Sequence, residues 1–454
     1  MLVARESSQS DGTRRRTHAE VTRRSFSTDV ALLTGVRFGS VGAAFLTNVL
    51  AARLLGAAGL GAAAVAITIA TMSALIANGG LGISSIFYLG RRPAQRGEIV
   101  NNIAAMTAVG VAVATLLMLA SIPAALALVL PGHSPAVLLA GVALAPAMVA
   151  ADVGGAMLLG LHSRGRYMGL EAIRTFGTLA ATALVLGLGA RTEEAYVLAV
   201  AGATAIAAVV AWSWVVRAGG TIQPGFDRGF VRDALSMGIR GQAGNVLQFV
   251  NFRLDLLLVS AFLRVEAAGV YLIALRVAEV VVQVANAVAA LIFPRVAGQE
   301  DPSDTASTER ATRVTLAIVV LSAAALALVA EPLLTIAFGE GFRAGTVALR
   351  ITLLGMIPLA LSRIVTGDLK GRGRADLVSI ANLLAVVLTA AFGVLLIPPL
   401  GIEGAAIASV GAYAGLTIAL LIAYRSVTRA QLRSLVPRPA DAVLVWKIAR
   451  RGLR

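Results

Sequence analysis

Between residues 29 and 424 the chain is a succession of apolar runs, each long enough to cross a bilayer. They fall at roughly 29–53, 60–89, 99–130, 135–161, 167–190, 195–217, 235–262, 266–293, 311–337, 347–367, 375–397 and 401–424. About 20 helical residues cover the hydrocarbon layer. Only a helix or a closed barrel satisfies its own backbone groups there. Runs of this length therefore predict an all-α polytopic membrane protein with about 12 transmembrane helices. Composition agrees: 58% of residues are hydrophobic, 14% are charged and the mean hydropathy is +0.84. Soluble domains carry far more charge.

The net charge of +15 would suggest nucleic acid as the partner of a soluble chain. Here its distribution explains it, and no nucleic-acid partner is expected. Every second connection is basic, as in Arg91, Arg92 and Arg96, or Lys370, Arg372 and Arg374. The intervening ones carry little beyond Arg53, Arg191, Arg264, Arg343 and Arg350. Basic connections face the cytoplasm, so this alternation predicts cytoplasmic termini and an even number of spans. Cysteine is absent and the three histidines lie in the tail or in loops. No zinc, P-loop, dinucleotide or triad motif is present. The chain is therefore not expected to be an enzyme or to hold a metal or organic cofactor.

The first helix of each half carries the same polar device. GVRFGSVGAAFLTN (35–48) aligns with GIRGQAGNVLQFVN (238–251), placing Arg37 on Arg240 and Asn48 on Asn251, 203 residues apart. Gly59 matches Gly269 at 210, and RGRYMGLEAI (164–173) matches RGRADLVSIA (372–381) at 208. A near-constant offset reads as a duplication. An even-numbered unit gives halves of the same orientation, a parallel repeat about the membrane normal. The expected organisation is a disordered basic tail (1–28), a six-helix bundle (29–217), a cytoplasmic linker (218–234), a second six-helix bundle (235–425) and a basic tail (426–454). In that last tail Trp446 among Lys447, Arg450 and Arg451 fits an amphipathic helix on the membrane surface.

The run 235–262 is too polar for a helix that meets only lipid, holding Arg240, Asn245, Gln248, Asn251, Arg253 and Asp255. Each central charge there costs several kcal/mol. At about 100° per residue Arg240 and Asn251 share one side, and the amides step by three or four along an adjoining stripe. One face of this helix is expected to line a water-filled cavity.

Several stretches resemble one known family. They are NVLAARLLGAAGLGAAAVAITIA (48–70), FRLDLLLVSAFLRVEAAGVYLIALRVAEVV (252–281), FPRVA (293–297), FGEGFRAGTVALRIT (338–352), LKGRGRADL (369–377) and IPPLGIEGAAIAS (397–409). Together these resemble the oligosaccharide flippases of bacterial polysaccharide biosynthesis, within the multidrug/oligosaccharidyl-lipid/polysaccharide exporter superfamily. The resemblance implies two six-helix bundles in a MATE-like V around a central cavity. It also implies movement of an undecaprenyl-pyrophosphate-linked oligosaccharide from the inner to the outer leaflet by alternating access. Besides that glycan and the membrane lipids, the polymerase and glycosyltransferases of the same pathway would be partners.

Such a substrate needs fixed cations for its pyrophosphate, which guanidinium groups supply, and hydrogen-bond partners for its sugars. Arg37 and Arg240 are the candidates for receiving the pyrophosphate, with Arg253 as a second cationic station farther along. Asn48, Asn245, Gln248 and Asn251 are the candidates for sugar hydroxyls. Asp152, Asp255 and Glu279 are the candidates for proton or sodium coupling. Asp255 is expected to pair with another helix, through Arg276, and Arg276 to offset Glu279 at i, i+3. The alternative reading is a multidrug or organic-cation antiporter of the same fold. That site would need acids and aromatics, whereas arginine outnumbers acid within these spans and aromatics are 5%. A lipid II flippase or a major facilitator transporter fits less well: the C-terminal spans usual in the first are missing, as is the acidic residue usual in the inner loop of the second.

Overall fold

The computed structural model describes residues 3–219, 227–298 and 305–435, with side chains from Gly39 onward, Pro93 and Gly219 excepted. The basic tail beyond 435 and the centre of the 218–234 linker lie outside the described residues. All described secondary structure is helical. The order is α1 (Val3–Asn78), α2 (Leu81–Arg91), α3 (Arg96–Leu128), α4 (Ala136–Gly160), α5 (Arg164–Gly187), α6 (Glu193–Gly219), α7 (Arg228–Phe262), α8 (Val265–Ala297), α9 (Ala306–Leu328), α10 (Ala330–Leu333), α11 (Thr346–Gly371) and α12 (Ala375–Thr428). A π-turn (Leu334–Phe338) and a 3-10 turn (Glu340–Gly345) join α10 to α11.

Ten of these helices are long and apolar enough to cross a membrane. Two of the ten cannot cross only once. With 54 residues, α12 would measure about 80 Å if straight, against a hydrocarbon layer of about 30 Å. It is broken at Gly401, and α1 at Gly56, where φ is +60° and +69°. Only glycine takes these left-handed values without strain. Each of the two helices therefore supplies two crossings, which gives the twelve the sequence predicts. The backbone of residues 3–28 continues α1.

Interior positions are filled by small and medium side chains. Ala62, Ala63, Ala66, Ala274 and Ala278 are among those fully covered. Lipid tails are as apolar as leucine, so helices here associate through close packing rather than through water exclusion. Large apolar side chains such as Leu116, Ile206, Val209 and Leu395 remain exposed, as a surface meeting hydrocarbon requires.

One contact reveals how the two halves are related. A Cβ on Gly61 would lie 2.0 Å from the Val265 carbonyl oxygen, and one on Gly269 would lie 1.9 Å from that of Ala57. The pairs are reciprocal, and each partner is 208 residues from its counterpart. That is the signature of a two-fold contact. Gly61, rather than Gly59, is thus the structural counterpart of Gly269. The same offset maps the break at Gly56 onto the α7–α8 turn at Arg264. The spacing of 203 that aligns Asn48 with Asn251 does not survive this register. Asn48 is seven residues before the last helical residue ahead of Gly56, and Asn251 is eleven before Phe262. They therefore differ in depth by about 6 Å.

The two halves touch at both ends. Near Gly56 the Gly61–Gly269 contact is joined by an edge-on pair of rings, Phe45 and Phe338, 5.5 Å apart. Ser260 Oγ also donates to the Val129 carbonyl at 2.7 Å. At the basic end a Cβ on Gly80 would lie 2.0 Å from the Gly238 carbonyl oxygen. There Ser84 Oγ donates to Ala234 O at 2.6 Å and Gln242 Nε2 to Leu75 O at 3.2 Å. Asn102 Oδ1 accepts from Asp227 N at 2.8 Å, just before α7 begins.

Candidate functional site

Between these contacts lie two adjoining pockets with Arg253 in the wall of both, together called the chamber. Its larger part, about 220 Å³, is lined by Arg253, Glu279, Gln283, Asn286, Arg363 and Tyr413 together with Phe249 and Phe252. A smaller part, about 60 Å³, is lined from the first half by Asn48, Thr68 and Tyr196 and from the second by Arg253 and Arg276. Arg253 forms the wall the two parts share. It is nine residues before the end of α7, and Arg276 is eleven into α8. Both are therefore about 14–16 Å below the turn that joins these helices, roughly the middle of the hydrocarbon layer.

The charges in this wall do not cancel. Glu279 bridges two guanidinium groups, with Arg253 Nη1 at 3.4 Å and Arg276 Nη1 at 3.2 Å. Arg363, on α11, stacks its guanidinium 4.5 Å above the Phe252 ring, a favourable cation–π arrangement. Its buried Nε has no hydrogen-bond partner. Among the described residues, the charged side chains lining the two parts are three arginines and one glutamate, a net of two positive charges. A desolvated, unmatched guanidinium is costly, and an anion in the chamber would offset that cost. Gln283 and Asn286 continue the polar surface, Asn286 Nδ2 donating to Gln283 Oε1 at 3.3 Å.

The sequence candidates divide in a physically clear way. Arg253, Asn48 and Glu279 line the chamber. The Arg276–Glu279 pair forms as expected, but Glu279 is shared with Arg253. Asn251 is 1% exposed and accepts from Thr389 at 2.8 Å, between α7 and α12. That is a packing position, with no surface left for a sugar. Arg240 turns back on its own helix, donating to the Ser236 carbonyl and hydroxyl at 2.9 Å. Asn245 donates to Gln242 at 3.1 Å, and Gln248 is half-buried on the same helix. The Arg37 side chain lies outside the described residues.

The coupling candidates are likewise separated. Asp255 is buried and does not pair with Arg276. It accepts from Tyr271 at 2.7 Å, from Ser409 at 3.0 Å and from the Leu256 amide at 2.7 Å. Asp152, on α4, meets Arg174 of α5 at 3.0 Å, and Arg174 also meets Glu171 at 3.4 Å. Arg53 donates to the Ile336 and Ala337 carbonyls of the π-turn. It ties the first half to the second rather than standing free at the surface.

Two basic wall residues were not among the sequence candidates for binding, Arg276 and Arg363. A signal for the first was present. Arg276, Glu279, Gln283 and Asn286 step by three, four and three along α8, a polar stripe on an apolar helix. Arg363 has no charged residue within four positions of it on α11, and its place is set by packing against Phe252.

Comparison with known proteins agrees with this frame. An inward-facing multidrug resistance MATE family transporter of the MOP superfamily superimposes with TM-score 0.69 at 16% identity, covering 84% of this chain and 94% of that one. The lipid II flippase MurJ, in an inward closed conformation, gives 0.74 at 12% identity, covering 92% and 91%. A MOP superfamily transporter from Pyrococcus furiosus, described as having a binding pocket of reverse polarity, gives 0.52 at 15%, covering 86% and 96%. At these identities the likeness is one of fold, the two-lobe architecture. No curated protein gives a significant sequence match. A model of a single family spans residues 49–345, the α1 break, both lobe contacts and most of the chamber wall, and by that match the chain belongs to the polysaccharide biosynthesis protein family.

Proposed function

We propose that the protein is a flippase that moves a lipid-linked oligosaccharide across the bacterial inner membrane, carried on polyprenyl pyrophosphate. The observation that carries this reading is the uncancelled arginine wall at mid-membrane depth. A pyrophosphate cannot enter hydrocarbon unaided, because an isolated ion there costs many kcal/mol. Arg253, Arg276 and Arg363 offer it charge-assisted donors along the way. Gln283, Asn286 and Asn48 supply hydrogen-bond partners for the first sugars, while the lipid tail stays in the bilayer. Arg37 and Arg240, nearer the basic end, remain our candidates for first contact on the cytoplasmic side.

Transport then follows from the two sets of lobe contacts. Parting the Gly80–Gly238 end admits the headgroup from one side, and parting the Gly61–Gly269 end releases it to the other. The occupied chamber is the state in which both are closed. Of the three carboxylates considered for coupling, Glu279 is the one in the chamber wall. It is therefore the one whose pairing a substrate or a coupling ion would change. An organic-cation antiporter is disfavoured because a cation would meet three arginines there.

The test is complementation of a strain lacking its own flippase. Arg253→Ala and Arg363→Ala should abolish surface glycan at unchanged protein level, and reporter fusions at residue 454 should report a cytoplasmic terminus. Normal glycan in both variants would end the reading. Drug-cation resistance conferred by the wild type would replace it with the antiporter.

A further inference from the structure

Among the described residues the chamber wall holds three guanidinium groups but one carboxylate, and the placement of that carboxylate raises the question of what it is for. Glu279 is half-buried in the middle of α8, far from either end of that helix. It lies between Arg253 and Arg276, at 3.4 and 3.2 Å. It removes one positive charge from a wall that would have three. In the first half the position related to Glu279 by the 208-residue register is Thr71, which carries no charge. The acid therefore belongs to the arginine cluster and not to the repeat.

We propose that Glu279 sets the charge of headgroup the chamber accepts, tuning it to the dianionic pyrophosphate diester of a glycan-loaded carrier. This rests on the flippase reading above. With Glu279 in place the wall carries two net positive charges, matching the one negative charge on each phosphate of a diester. The carrier without its glycan ends in a phosphate monoester, which loses a second proton at about pH 6 and so brings close to three charges at neutral pH. A sugar on a monophosphate carrier brings one. Either mismatch leaves an unbalanced charge inside the bilayer, where such imbalance is felt far more than in water. The device would keep the spent carrier from competing with, or returning in place of, the loaded one.

The experiment uses the full-length protein in lipid nanodiscs and three soluble probes. They are farnesyl pyrophosphate, farnesyl pyrophosphoryl-N-acetylglucosamine and farnesyl phosphoryl glucose, with affinities measured by calorimetry. The wild type should bind the diester at least tenfold more tightly than either of the others. Glu279→Gln should move the preference at least tenfold toward farnesyl pyrophosphate, and Glu279→Asp should keep the wild-type order. Arg276→Gln, which lowers the net charge to one, should shift preference the opposite way, toward the monophosphate. This variant decides the matter if Glu279→Gln fails to give monodisperse protein. Binding of all three probes with ratios that neither variant moves overturns the inference and leaves the flippase reading standing. Failure of the wild type to bind any probe sinks both.

Discussion

The limb of α1 after Gly56 and helix α8 occupy equivalent places in the two halves, yet they carry different chemistry. In the 208-residue register Arg276, Glu279, Gln283 and Asn286 of α8 fall on Thr68, Thr71, Leu75 and Asn78. Thr68 lines the same chamber as Arg276. Thr71 spends its hydroxyl on its own helix, donating to Ile67 O at 2.6 Å. The first half does hold charges, but Asp152, Arg174 and Glu171 are paired with one another and do not line the chamber. Duplication thus supplied a symmetric frame with a two-fold contact, and the anion-seeking groups were concentrated on one side of it. A rocking transporter benefits from this asymmetry. In the flippase proposed above, the headgroup would stay with the second lobe while the first lobe moves past it.

The largest effect should come from breaking the asymmetry on its charged side. Arg253→Ala leaves Glu279 with one partner and removes the group shared by both parts of the chamber. Truncating one member of a buried charge pair costs about 2–5 kcal/mol, so headgroup affinity should fall by more than thirtyfold. Thr68→Ala, on the uncharged side of the same chamber, should change affinity by less than threefold. Equal losses from the two would show that the halves share the load.

The lobe contacts test the symmetric part of the comparison. Gly61→Ala and Gly269→Ala each drive a methyl group to about 2 Å from a carbonyl oxygen of the other half. Overpacking of this kind costs about 1–3 kcal/mol, which parting the lobes relieves. Both variants should open the Gly56 end equally, whereas Gly80→Ala should open the basic end. The chain contains no cysteine, so a single Thr68→Cys reports alone. An impermeant maleimide applied from outside should label it faster in the first two variants and slower in the third. Different rates for Gly61→Ala and Gly269→Ala would rule out a two-fold contact.

A smaller effect is expected inside the second lobe. Tyr271→Phe removes one of the three donors that satisfy buried Asp255. Leaving an acceptor short of a partner costs about 1–3 kcal/mol. The purified protein should melt several degrees lower with headgroup affinity unchanged, because Asp255 does not line the chamber. A loss of affinity at unchanged stability would instead place Asp255 in the transport path.

Much of the frame was legible in the sequence because hydrophobic length is a one-dimensional property. Twelve runs, their alternating basic connections and the duplication all follow from counting along the chain. The glycine breaks were only half visible. Gly56 lies between two runs and Gly401 opens one, yet α1 and α12 continue through them as helix on either side. The site was less legible because side-chain direction depends on packing. Asn251 has the spacing of a cavity residue, but Thr389 of α12 covers it. Arg363 has no neighbour in sequence to announce it, and its place is set by the Phe252 ring. Repeat arithmetic also misled where helices end at different points, as with Asn48 and Asn251. Local identity was strong there, but five residues separate the two registers.

The weakest effect is expected at the charged cluster of the first half, and it is the one that separates pairing from coupling. Asp152 and Arg174 are each more than a third exposed, and Arg174 also meets Glu171, so neutralising Asp152 leaves the guanidinium an acidic partner. Asp152→Asn retains a polar group of the same size opposite Arg174. The variant should melt within a few degrees of wild type and export glycan at the wild-type rate. Its dependence on a proton or sodium gradient should also be unaltered, measured in vesicles with the gradient imposed. Loss of that dependence with export otherwise intact would move ion coupling to the first half. The two lobes would then divide the work, one binding the headgroup and the other the ion, and the asymmetry seen along α8 would have a counterpart in α4.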